Sequence, residues 1–185
     1  MSLKDLTKEK HTDAERTAFA KLLMSGNITE KQYAQYLRQM LEVYSVLEVL
    51  SAQAGHFENL AGLPRAPMIY KDLQEFSAVS GSLSTLPSTK AYIDYLISMS
   101  SDDSRKHLLL AHLYVRHMGD LYGGQMIKKK VPGDGNFYVF NDRDGLIAKI
   151  REKLTDDLGE EANVAFDHAI NIMKDLNEWC MEHAD

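Results

Sequence analysis

Residues 112–130 read HLYVRHMGDLYGGQMIKKK, which puts three glycines, Gly119, Gly123 and Gly124, inside what is otherwise a long amphipathic helix. Each interior glycine costs roughly 1 kcal/mol of helix stability against alanine. Residues one turn apart share a face, so a backbone without side chains there can lie against a flat object or bend away from one. Asp120 stands between the glycines, with Arg116 one turn before it. Close helix packing, or a helix that ends at Gly123-Gly124, accounts for the spacing equally well.

Outward from this stretch, helical periodicity of apolar residues covers most of the chain. The pattern over 105–130 is the longest, and Pro132, Gly133, Asp134 and Gly135 end it. Tyr33, Leu37, Met40, Leu41, Tyr44, Leu47 and Leu50 define a second long helix to about residue 53. It starts at Thr29, with Gln32 three residues on in the capping-box arrangement. Residues 3–26 predict one helix or two joined ones, and further helices are expected over 69–78, 89–99, 142–157 and 160–183. Residues 137–140 (FYVF) have no partner strand and read as extended loop with its aromatics on the core. The expected class is all-α, with seven or eight helices in a single domain over 1–185.

The chain carries 44% hydrophobic and 26% charged residues with only four prolines, a globular and not a disordered composition. A net charge of −6 argues against nonspecific binding to nucleic acid or to an anionic membrane. One cysteine, Cys180, excludes an internal disulfide framework and fits a reducing compartment. The charged start has no apolar run that could serve as a signal peptide, and no segment approaches a membrane span. A soluble cytoplasmic protein, with no nucleic-acid or membrane partner, is the expectation.

No phosphate-binding loop, zinc spacing or Ser-His arrangement is present. His107, His112 and His117 recur every five residues and so spread around their helix, which is a poor metal-binding row. His11 stands apart because it lies in an amphipathic helix with Ala14, Glu15 and Ala18 on its side; a half-exposed surface histidine is the plain alternative.

Two motifs taken together carry a resemblance. Lys8-Glu9-Lys10-His11-Thr12-Asp13-Ala14-Glu15 is similar to the K-x-K-H-T-x-A-E setting near the start of heme oxygenases, and Gly119-Asp120-Leu121-Tyr122-Gly123-Gly124-Gln125 to their G-D-L-x-G-G-Q. The chain thus resembles the heme oxygenase family over nearly its full length, and the soluble bacterial, algal or phage members more than the animal ones. This implies an all-α fold that holds heme b between the first helix and a glycine-kinked distal helix. The implied activity is oxygen- and electron-dependent cleavage of heme to biliverdin, carbon monoxide and ferrous iron, with the α-isomer expected.

The resemblance also implies roles. His11 would bind the heme iron from the proximal side and Glu15 would hold its imidazole. Gly119, Gly123 and Gly124 would let the distal backbone approach the ring. Asp120 would act through ordered water, supported by Arg116 and Tyr44. Lys4, Tyr114 and Arg151, with Lys149 and Lys153 as alternatives to Arg151, would meet the propionates. Phe166 would pack near the pocket or in the plain core.

Two residues depart from the family pattern. Tyr122 stands where a small residue is usual, and would either narrow the distal side or turn outward; His117 stands in a usually aromatic position and would add a titrating group to the surface. An external reductant is implied, ferredoxin or a flavin reductase. Lys128, Lys129 and Lys130, with Lys8 and Lys10, are the candidate docking cations in an acidic chain, although lysines at a helix end also simply complement its dipole. A heme carrier or sensor that does not degrade the ring is the competing class. Thiaminase-like and di-iron relatives would need a pocket cysteine or paired Glu-x-x-His ligands, and the chain lacks such pairs.

Overall fold

The computed structural model describes residues 1–184, and among them there are helices and turns but no strand. The segment over 3–26 divides in two, α1 (Leu3–Glu15) and α2 (Ala18–Ser25). A capping box of Ser2 and Asp5 starts α1, and the Thr17 side chain caps α2, whose entry breaks the helix. Gly26 closes α2 with φ 80°, a left-handed conformation that suits glycine. The Thr29 capping box opens α3 (Glu30–Gln53), the central helix. Tyr33, Leu37, Met40, Tyr44 and Leu47 are all buried on it, in the largest hydrophobic cluster.

The helix expected over 69–78 is two pieces, α4 (Ala66–Gln74) and α5 (Ser77–Ser80), and α6 (Pro87–Ser100) follows. Buried Gln39 of α3 explains how the polar connection before α6 is held. Its Nε2 donates to the Ser84 carbonyl at 2.9 Å, and its Oε1 accepts from the Leu86 amide at 2.9 Å. The FYVF stretch begins in a 3-10 turn over Asn136–Tyr138. Asp72 accepts from the amides of Asn136 and Phe137, and Phe137 and Tyr138 are fully buried.

The pattern over 105–130 is not one regular helix. It comprises a 3-10 turn, α7 (Leu109–Leu113), a π-helical turn over Tyr114–Met118 and α8 (Gly119–Lys128). A π turn inserts one residue and leaves the periodicity on either side intact, which is why spacing alone misses it. Its position is informative, because it ends where the first glycine begins. Arg116, His117 and Met118, three consecutive side chains, are all buried there.

Finally α9 (Arg143–Lys153), capped by Asp142, docks through Leu146, Ile147 and Ile150 onto Met118 and Leu121, and α10 (Gly159–Glu182) packs along α1. No described helix is long and apolar enough to cross a membrane.

Candidate functional site

The α1–α2 arm runs beside the α7–α8 line and touches it at both ends. At one end Thr7 Oγ1 lies 3.4 Å from the Tyr114 hydroxyl; at the other α2 meets α8, and a Cβ on Gly26 would lie 3.9 Å from the Lys130 side chain. His11 is one turn beyond Thr7 and on the same side of α1. It therefore faces the stretch between the two points of contact. That stretch is where the glycines lie.

The three glycines are not equivalent. A Cβ on Gly119 or Gly123 would meet nothing within 4 Å, so both border open space. A Cβ on Gly124 would be 2.7 Å from the Tyr138 ring, and the next residue, Gln125, donates to the Tyr138 carbonyl at 2.9 Å. The expectation that Gly124 lines the cleft is thus revised: it is the packing glycine, which lets the 136–138 turn lie against α8. The cleft glycines number two.

Across the gap His11 is exposed. Its Nε2 is 3.1 Å from Glu15 Oε1, which leaves Nδ1 for a metal in this rotamer. Phe166, buried on α10, places its ring centroid 5.7 Å from the imidazole. Lys4 is exposed two turns before His11, and Tyr114 is half-buried. Lys10 instead pairs with Asp167 at 2.6 Å, so its charge is partly met within the chain.

Beside the open glycine face is a buried polar cluster. The Tyr44 hydroxyl donates to Asp120 Oδ2 at 2.6 Å. Burial pushes the Asp120 carboxyl up to about 8; the Tyr44 hydrogen bond and the charges of Arg116 and Arg65 oppose that rise, and Glu48 adds to it. Such a carboxyl can hold or release a proton near neutral pH. Arg116 is buried over the Tyr92 ring, 5.5 Å from its centroid, with Nη1 3.7 Å from the Met40 sulfur. Its Nε and Nη2 have no hydrogen-bond partner. Buried guanidinium donors ordinarily find acceptors, so this group suits a water or ligand oxygen in the pocket.

His117 is not a surface group. It is fully buried, with Nε2 2.7 Å from Glu48 Oε2 and its ring 5.0 Å from that of Tyr44. Glu48 also accepts from the Arg65 amide at 2.5 Å and the Ala66 amide at 2.7 Å. The physical reason for the correction is the π turn, which turns Arg116, His117 and Met118 inward together. Tyr122 is 46% exposed beside the open glycine face, and Arg151 Nη2 of α9 donates to its hydroxyl.

Glu48 and Arg65 were not singled out by motif. Glu48 had a usable signal, since it lies one turn after Tyr44 on the same face, whereas Arg65 had none. His112, one of the three histidines spread around their helix, is buried between the Tyr92 hydroxyl at 2.6 Å and Glu161 at 2.9 Å. Among the described residues no cluster of three or more His, Cys, Asp or Glu could hold a metal ion. One exposed imidazole facing a bare helix face fits a metal whose remaining ligands come from a flat macrocycle.

Known proteins point the same way. A family profile described as Heme oxygenase matches residues 1–175. The chain is 30% identical to heme oxygenase 2 of Rattus norvegicus, aligned over 95% of this chain and 64% of that protein, so it spans somewhat less than two thirds of that relative. It is 29% identical to the heme oxygenase of the alga Rhodella violacea, over 96% of this chain and 86% of that one. The fold matches the crystal structure of Synechocystis heme oxygenase-1 in complex with heme at TM-score 0.84 and 24% identity, covering 97% of this chain and 92% of that one. It matches Synechocystis heme oxygenase-2 in complex with heme and NO at TM-score 0.82 and 26% identity, covering 98% and 86%. With that family's profile matched along nearly its whole length, the chain belongs to the heme oxygenase family.

Proposed function

We propose that the chain, acting as one domain over 1–185, cleaves heme to biliverdin, carbon monoxide and ferrous iron, with oxygen and electrons from an external reductant; the α-isomer is the expected product. The observation that carries this reading is the exposed His11 opposite a helix face where Gly119 and Gly123 border open space, with a buried carboxyl alongside. Heme b bound there supplies the iron that activates oxygen and is itself the ring that is cut.

The chain's own residues then divide the work. His11 offers an imidazole nitrogen to the iron and Glu15 holds the ring in place. Gly119 and Gly123 keep side chains out of the space that oxygen needs. Asp120 holds a proton near neutral pH, and Tyr44 fixes its carboxyl by donating to Oδ2. Arg116, with Nε and Nη2 unengaged, helps orient water against that carboxyl. Lys4, Tyr114 and Arg151 receive the propionates, and Phe166 packs beside His11.

Electrons come from a ferredoxin or a flavin reductase that docks at Lys128, Lys129 and Lys130, in a cytoplasmic setting. Support for the docking site is a run of three lysines on a chain of net charge −6, at the end of the helix that carries the glycines. Reversing all three charges should slow donor-driven turnover and flatten its salt dependence; no change in either would remove the docking site from the proposal. The activity itself is tested by adding hemin, recording a Soret band, then supplying reductant and oxygen and following bilin absorbance. A heme spectrum that persists unchanged would assign the chain as a carrier instead.

A further inference from the structure

The open face of α8 continues past the glycines. Gly119, Tyr122, Gly123 and Met126 fall at i, i+3, i+4 and i+7 and share one side of the helix, where Tyr122 is 46% and Met126 62% exposed. An exposed tyrosine on that face is normally free to rotate. Here it is gripped from α9: the guanidinium carbons of Arg143 and Arg151 each lie 5.6 Å from its ring centroid, and Arg151 Nη2 donates to its hydroxyl.

The two arginines are not alike. Arg143 is committed to its own surroundings, since Nε donates to the Leu121 carbonyl at 2.5 Å and Nη1 meets Asp144 at 3.2 Å. Arg151 pairs with no carboxylate among the described residues, and its one polar side-chain contact is the Tyr122 phenol. A neutral hydroxyl engages one corner of a guanidinium and leaves its charge without a counter-ion. The remaining N–H groups form a planar fork suited to a carboxylate.

We infer that Tyr122 is a positioning residue that holds the Arg151 guanidinium at the rim of the glycine face, ready to receive a carboxylate of the bound substrate. The inference rests on the reading of this cleft as the heme site. A long arginine side chain ordinarily loses rotamer freedom when it binds; one already ordered by an aromatic ring and a hydrogen bond loses less. The residue that departs from the usual small one thereby gains a purpose. It sets where a propionate is held, and so how the ring lies in its plane.

The test is a Soret titration of the substrate-free chain with hemin and, separately, with hemin dimethyl ester, whose carboxyls carry no charge. Wild type, Tyr122→Phe, Arg151→Gln and the double variant are compared; Tyr122→Phe keeps the ring and its stacking. The expected result is that Tyr122→Phe weakens hemin binding about threefold to tenfold, the cost of ordering one long side chain anew. It should leave the ester almost unaffected and have no further effect once Arg151 is glutamine. Equal hemin affinity in Tyr122→Phe and wild type overturns the inference, as does an effect that survives Arg151→Gln. Tighter binding by Tyr122→Phe overturns it too, by making the phenol a competitor of the carboxylate. If wild type forms no Soret complex, the heme-site reading itself fails; normal complex formation without a Tyr122 effect defeats the positioning role alone.

Discussion

Gly119 and Gly124 lie five residues apart in one helix, and the same substitution should move the stability of the protein in opposite directions at the two positions. Gly119 has helical backbone angles, φ −58° and ψ −44°, and a Cβ there would meet no atom within 4 Å. Alanine therefore removes unfolded-state freedom without a clash, and Gly119→Ala should stabilise the substrate-free fold by about 0.5–1 kcal/mol. Gly124→Ala gains the same propensity but drives a methyl to 2.7 Å from the Tyr138 ring. That ring cannot easily retreat, since it stacks on Phe137 with centroids 4.2 Å apart and its hydroxyl is 2.9 Å from that of Tyr36. Overpacking of this kind costs about 1–3 kcal/mol, so the net effect is a loss of up to about 2.5 kcal/mol. Thermal unfolding followed by circular dichroism should separate the variants, at about 2–4 °C per kcal/mol for a chain of this size. Hemin titration completes the comparison: the larger Gly119→Leu should reduce carbon monoxide affinity of the heme complex far more than hemin uptake. If Gly119→Ala proved as damaging as Gly124→Ala, the face at Gly119 would be packed and not open, and the placement of the cleft would be wrong.

The other predictions concern the buried polar cluster. Asp120→Asn should keep the Soret complex yet lower biliverdin formation by at least about 10²-fold, as measured in a reductant-coupled assay; full turnover would refute the proton-holding role. Because burial raises the Asp120 carboxyl from 3.8 to about 8, its favourable contribution is present below pH 3.8 and is lost as pH rises through about 8. Wild type should thus lose stability relative to Asp120→Asn over that window in urea melts at successive pH values, and a constant difference would show that the carboxyl is unshifted. The Tyr44 hydrogen bond holds the Asp120 carboxyl lower than burial alone would, so Tyr44→Phe should move the Asp120-dependent limb of the turnover–pH profile upward. Glu48→Ala would strand two amide donors and the His117 ring nitrogen, a loss of about 3–5 kcal/mol in denaturant unfolding; a loss below about 1 kcal/mol would mean that water replaces the carboxylate readily.

Features that repeat along a helix or sit within one turn are legible in the sequence. Apolar spacing and the Thr29–Gln32 capping box are local, and they were enough for the all-α class and for most helices to within a few residues. The glycine pattern with Asp120, joined to the setting of His11, was enough for the family. Three matters were decided only by the tertiary structure. Which glycines are open depends on what packs opposite: Tyr138, brought in from the following turn by Asp72, occupies the space at Gly124 and nothing occupies it at Gly119. Whether His117 is a surface group depends on a π turn that inserts one residue without disturbing the pattern around it, and on Glu48 waiting on another helix. The direction of Tyr122 depends on two arginines of α9, whose approach is fixed by Leu146, Ile147 and Ile150 docking on Met118 and Leu121. Spacing specifies the face of a helix on which a residue lies, whereas the environment that face meets is set by long-range packing, and that packing decides between cleft, core and rim.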